Sequence, residues 1–242
     1  MPPSSTVQPD LAEYELSLLW GAWVQLGASG WQQTHVNWAV DPEPLIIHTA
    51  CLADADPRLR DEALDWCIKY WRYVSKVRLR NLLQGRSAQV LDAGGPFGAT
   101  VNKHSGTHWP LGTESFPYRL TGRSSLDAMA QPSRAWLRLR AMFGLGARTE
   151  ILRYFLSDHP RATMATIAQH VGYAKRSVAD ECDSLEKAGV LKVRHTANRF
   201  YYTLAHGEEF RAWVGDIEPG QPTGHALLAG TAKFDALEES AR

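Results

Sequence analysis

The sequence predicts a mainly helical protein in three parts: an N-terminal helical domain, an irregular Gly/Pro-rich connector, and a C-terminal group of three helices closed by a small β-hairpin. Three observations carry this. Apolar residues recur at helical spacing through most of residues 1–84. Across residues 85–133, Gly85, Gly94, Gly95, Gly98, Gly106, Gly112 and Gly122 accompany Pro96, Pro110, Pro117 and Pro132, a spacing that breaks long helices. Residues 134–206 return to helical spacing and end in two alternating runs, "VLKVRH" and "RFYYTL". With 242 residues, 44% of them hydrophobic, the chain is long enough to bury a substantial core.

The first ten residues, "MPPSSTVQPD", have no basic stretch leading into an apolar run, and nowhere do apolar residues continue far enough to span a bilayer. The expectation is a soluble, cytoplasmic protein with no membrane partner. "DLAEYELSLLWGAWVQLGA" places Leu11, Tyr14, Leu18, Leu19 and Val24 at helical spacing until Gly27 and Gly30 end the pattern. "DPEPLIIHTACLA" begins with turn residues and continues as a short apolar helix. "DPRLRDEALDWCIKYW" opens on Asp56 and Pro57, favourable N-cap and first-turn residues. After a break at Arg72 to Val74, Ser75 can cap a helix bearing Val77, Leu79, Leu82 and Leu83, so residues 61–84 have a helix-turn-helix layout.

Within the connector, one short helix is expected around "FGATVNK", and "SRAWLRLRAMFGL" then leads into the C-terminal part. "ARTEILRYFLSDHP" turns Ile151, Leu152, Phe155 and Leu156 inward. "TMATIAQHVG" starts a second helix at Thr163 and stops it at Gly172. A third runs from about Ala174 to Ala188, with Gly189 as its left-handed stop and a hairpin around "TAN" beyond it. The acidic tail, 207–242, is expected to dock only through "FRAWV".

Formal charge is zero, so a polyanion can be held only through uneven charge distribution. From Met1 to Asp65 ten acids (Asp10, Glu13, Glu15, Asp41, Glu43, Asp54, Asp56, Asp61, Glu62, Asp65) face Arg58 and Arg60, a net of −8. Arg72, Lys76, Arg78, Arg80 and Arg86 follow with no acid among them. That helix is either a second phosphate-binding surface or an amphipathic element whose cations pair with the acidic segment before it.

On the segments "TIAQHVG", "AKRSV", "LEKAGVL" and "RFYYTL", residues 146–204 resemble the winged helix-turn-helix of ArsR-like and MarR-like bacterial transcriptional regulators. The resemblance implies double-stranded DNA as partner, often with a homodimer, the third helix in the major groove and the hairpin wing along the backbone. Lys175, Arg176 and Ser177 on the first turn, with Arg194, His195, Asn198 and Arg199 on the wing, are then the DNA-binding candidates. That third helix is unusual in carrying Asp180, Glu181, Asp183 and Glu186. Setting Val178 inward at about 100° per residue turns Cys182 and Leu185 inward and Arg176, Asp180, Asp183 and Lys187 outward. Arg176 with Asp180, and Asp183 with Lys187, are then charge pairs four residues apart.

Other signals point to chemistry only weakly. "VLDAGGPFG" resembles the glycine-rich loop of S-adenosylmethionine-dependent methyltransferases, but Pro96 replaces a glycine and no alternation of strands and helices follows, so a surface turn is expected. His104 and His108 in "HSGTH" have ligand spacing only on a helix, and Gly106 argues for a loop. Cys51, Cys67 and Cys182 are too scattered for a disulfide framework. Trp20, Trp23, Trp31 and Trp38 fit core packing first and an apolar pocket second. No catalytic constellation, cofactor or metal is expected. The sequence therefore suggests a DNA-binding regulator whose N-terminal domain dimerises, senses or binds a partner; the alternative is a protein-protein interaction module, such as an antitoxin-like subunit holding a basic partner on its acidic face.

Overall fold

The computed structural model describes residues 11–31, 38–127, 129–157 and 159–214. The leader with Asp10, and the acidic tail beyond Val214, lie outside the described residues. The described residues are mainly helical with one two-stranded antiparallel sheet. Its helices are α1 (Leu11–Leu26), α2 (Pro42–Cys51), α3 (Pro57–Tyr70), α4 (Lys76–Leu83), α5 (Ala88–His104), α6 (Ala135–Phe143), α7 (Ala147–Leu156), α8 (Met164–Val171), α9 (Lys175–Lys187) and α10 (Gly207–Val214); the strands are β1 (Leu191–Thr196) and β2 (Arg199–Leu204).

Local chemistry accounts for most boundaries. Asp56 accepts a hydrogen bond from the Leu59 amide, and Pro57 opens α3. A 3-10 turn, Trp71–Tyr73, separates α3 from α4, which Ser75 caps through the Arg78 amide. Thr163 caps α8, and Gly172 ends it in the left-handed region at φ +70°. Ala197 and Asn198 both have positive φ, the backbone of a tight type I′ hairpin turn, so "TAN" closes as a two-residue turn.

The large core cluster joins α1, α2, α3, α4 and α5 around Trp23, Trp66, Leu64 and Phe97. Trp23 and Trp66 meet edge to face at 5.5 Å, and Trp23 Nε1 donates to Thr49. A second cluster holds Ile151, Phe155, Ile167, Val178, Cys182, Leu185 and Leu191, and a third seats Phe210 and Val214 of α10 on Leu139, Leu152 and Leu156. The docking expected of "FRAWV" is thus present.

One expectation fails. The spacing of glycines and Pro96 does not prevent a long helix: α5 runs for 17 residues through "VLDAGGPFG", with Gly94, Gly95 and Gly98 buried. A helical glycine costs about 1 kcal/mol relative to alanine, and Pro96 lacks the amide that would bond one turn back. Packing outweighs both. A Cβ on Gly98 would lie 2.3 Å from Leu111 Cβ, and one on Gly112, at φ +52°, would lie 2.3 Å from the Gly95 carbonyl oxygen. The glycine face lets residues 109–112 lie directly on α5, where Asn102 bonds both the amide and the carbonyl of Trp109.

In the irregular segment that follows α5, Trp109 and Leu111 join the large core cluster, and residues 121–124 are tied to α3. Asp65 accepts from the amides of Thr121, Gly122 and Ser124, which outweighs its burial and holds its carboxyl below the usual range.

Candidate nucleic-acid interface

The α9 stripe falls where the geometry of a helix puts it. Val178 and Cys182 are completely buried and Leu185 nearly so, while Arg176, Asp180, Asp183 and Lys187 are exposed. Lys187 Nζ bonds Asp183 at 2.7 Å, as the spacing predicts. Arg176 and Asp180 do not pair, and Glu181 instead accepts from Arg148 of α7 at 2.9 Å. α9 has Ala174 at its N-cap position and so no side-chain cap, which leaves its first-turn amides to outside partners. Lys175, Arg176 and Ser177 surround them, all exposed and, among the described residues, without an ion pair.

Strand register sorts the hairpin. Lys192 pairs with Thr203, Arg194 with Tyr201 and Thr196 with Arg199, so these share one face. Val193 with Tyr202 and His195 with Phe200 share the other. Arg161, one residue before Ala162 bridges to Tyr202, stacks its guanidinium 5.2 Å over the Tyr201 ring. One face therefore presents Lys192, Arg194, Arg199 and Arg161. His195 sits on the opposite face against Phe200, and Asn198 is in the turn, so the sequence candidates of the hairpin do not form a single surface. Lys192 was legible from its alternation with Arg194; Arg161 had no signal, because it arrives from a separate segment.

The second basic helix divides more sharply, and Arg78 requires a correction: it is not a surface cation. It is only 2% exposed, with its guanidinium on both carboxylate oxygens of Asp41 and, at 2.5 Å, on Glu43. The pairing of these cations with the acidic N-terminal segment is therefore right for Arg78. Lys76, Arg80 and Arg72 are exposed, the last 4.8 Å over the Trp71 ring, and Arg86 is half-buried.

Arg78 belongs to a buried cluster. Arg140 of α6 bonds Glu43 at 2.7 and 2.8 Å and Glu150 of α7 at 2.7 and 3.1 Å; Glu150 also accepts from Trp136 and Arg153. Three carboxylates thus meet three arginines around Trp136. Burial pushes the Glu150 carboxyl up, but Arg140, Arg78 and Arg153 outweigh it and hold the group down at about 2. The cluster also positions α9. Arg78 Nε donates to the Val171 carbonyl at 3.1 Å, Asn81 to the Gly172 carbonyl at 3.1 Å, and Ser75 Oγ meets the Tyr173 hydroxyl at 2.8 Å. α4 thereby grips the turn from which α9 departs.

No family model matches the chain, and no curated protein or solved structure matches it either.

His108 is exposed and His104 packs edge-on to Tyr118, and no group of three or more His, Cys, Asp or Glu side chains among the described residues is placed to hold a metal. No described helix is long and apolar enough to cross a membrane. Trp23 is core, whereas Trp20 bonds Asp56 and borders a small cleft with the exposed Trp31.

Proposed function

We propose that the protein is a cytoplasmic DNA-binding transcriptional regulator, with α7, α8, α9 and the β1–β2 hairpin working as a winged helix. The observation that carries this reading is the uncapped first turn of α9, with Lys175, Arg176 and Ser177 exposed, alongside a hairpin face bearing Lys192, Arg194, Arg199 and Arg161. Exposed cations without carboxylate partners among the described residues, arranged along two neighbouring elements, suit a phosphate backbone. First-turn amides add donors at the positive end of the helix dipole. Paired copies would set two α9 helices into successive major grooves, about 34 Å apart.

The interaction-module alternative draws less support, because most acids it relies on are already engaged inside the protein. Asp41 and Glu43 neutralise arginines, Asp65 binds backbone amides, Asp56 caps α3, Glu15 meets His48 and Glu62 meets Arg123.

Mobility shifts on the protein's own upstream DNA, titrated with salt, test the proposal. Affinity should fall steeply with salt, and Arg194→Ala with Arg199→Ala should reduce the log-log slope by about 2, one per lost phosphate contact. Absence of any shift at low salt overturns the reading. The acids of α9 give a second expectation. Asp180 has no cation partner among the described residues and Asp183 is bonded to Lys187, so Asp180→Asn with Asp183→Asn should raise non-specific affinity by removing repulsion near phosphates. A fall in affinity confined to the true site would assign these carboxylates to base reading instead.

A further inference from the structure

Beside the α8–α9 turn lies an open groove of about 800 Å³, bounded by the 3-10 turn and first turn of α4 on one side, the α6–α7 turn on another, and the loop after α5. Its volume falls in the range of small-molecule sites, roughly 300–1,000 Å³. Trp71, Val77 and Leu145 supply apolar surface, the last two substantially exposed. Gly106 has no side chain, and a Cβ there would lie 3.3 Å from Trp71 Cζ2, so the indole forms a wall against bare backbone.

The charge of this lining is one-sided. Arg72, Lys76 and Arg140 line it and no carboxylate does. Arg140 is neutralised beneath by Glu43 and Glu150. Arg72 and Lys76 are exposed and, among the described residues, form no ion pair. The Arg72 guanidinium rests 4.8 Å over the Trp71 ring, which places a planar cation beside a flat apolar surface.

We infer that this groove binds a small organic anion with a flat apolar body, its acidic group between Arg72 and Lys76 and its body against Trp71 and Leu145. A carboxylate or sulfonate meets two cations there, and the guanidinium offers paired donors to its oxygens. Tyr173 lines the same groove, is bonded to Ser75, and stands two residues before Lys175. An occupant therefore packs against the turn that sets the pose of α9. The binding site stands independently of DNA binding; its effect on α9 rests on the DNA reading.

The test uses the full-length protein and the aromatic sulfonate 8-anilinonaphthalene-1-sulfonate as probe. Its fluorescence should rise and shift to the blue on saturable binding to one site. Arg72→Glu with Lys76→Glu should weaken binding at least about tenfold, the loss expected of charge-assisted contacts, while the circular dichroism spectrum and melting temperature stay unchanged. Leu145→Arg, which fills the apolar end without adding negative charge, should also weaken it. Arg80→Glu, on the same helix outside the groove, should leave binding as it was. Equal binding by all variants, or no saturable binding by the native protein, overturns the proposal. If the probe depends on Arg72 and Lys76 while no variant or native protein shifts DNA, the groove stands and the DNA reading falls.

Discussion

Arg78→Ala should destabilise the protein by about 3–5 kcal/mol, the usual cost of removing one partner from a buried ion cluster. Asp41 and Glu43 would remain almost wholly buried, and Asp41 would lose a guanidinium that engages both its oxygens. The Val171 carbonyl would lose a donor as well, loosening the turn into α9. Urea unfolding followed by circular dichroism measures this as a lower midpoint. Arg78→Lys keeps the charge but not the forked geometry, and should fall between the two. Arg80→Ala, two residues on and exposed, should change stability by no more than about 0.5 kcal/mol. A double-mutant cycle of Arg78→Ala with Asp41→Ala should show a coupling of about 0.5–3 kcal/mol, since each single change strands the other's charge. Equal effects at positions 78 and 80 would mean that α4 presents both arginines to solvent.

The contrast between these neighbouring arginines shows where the sequence was legible. Periodicity and caps are local, and the elements they govern agree with the structure: α3 opens at Asp56 and Pro57, α4 at Ser75, α8 lies between its caps Thr163 and Gly172, and α9 buries Val178, Cys182 and Leu185. The failures are tertiary. Arg78 stood open between a surface cation and a partner of the acidic segment, because the choice depends on Asp41, 37 positions away, and on Arg140 and Glu150, which neutralise the remaining charge from still farther along the chain. The short helix expected around "FGATVNK" is only the last part of α5, whose full length was unexpected because the glycines that weaken it in isolation are what residues 109–112 require for close packing. For the same reason the candidate DNA surface was only partly visible. Lys175, Arg176 and Ser177 follow from the helical stripe, but the division of Arg194 and Arg199 from His195 needs the strand register, and Arg161 needs the bridge at Ala162.

Val178→Asp should cost about 3–5 kcal/mol and unfold the region around α9. Val178 is fully buried in an apolar cluster with Ile151, Phe155, Ile167 and Leu185, where an aspartate loses the packing of the valine and brings a carboxyl with no cation beside it. Whether it stays ionised or takes up a proton, the cost falls on the folded state. Arg176→Ala, two residues earlier on the exposed face, should leave the melting curve within about 0.5 kcal/mol of the native protein. The two variants separate scaffold from contact. On the proposed function both lose DNA binding, but Val178→Asp does so with a collapsed urea midpoint and Arg176→Ala with a native one. Should Arg176→Ala melt the protein while Val178→Asp spares it, the inward face of α9 is misassigned, and the first-turn cations cannot be the groove-facing set.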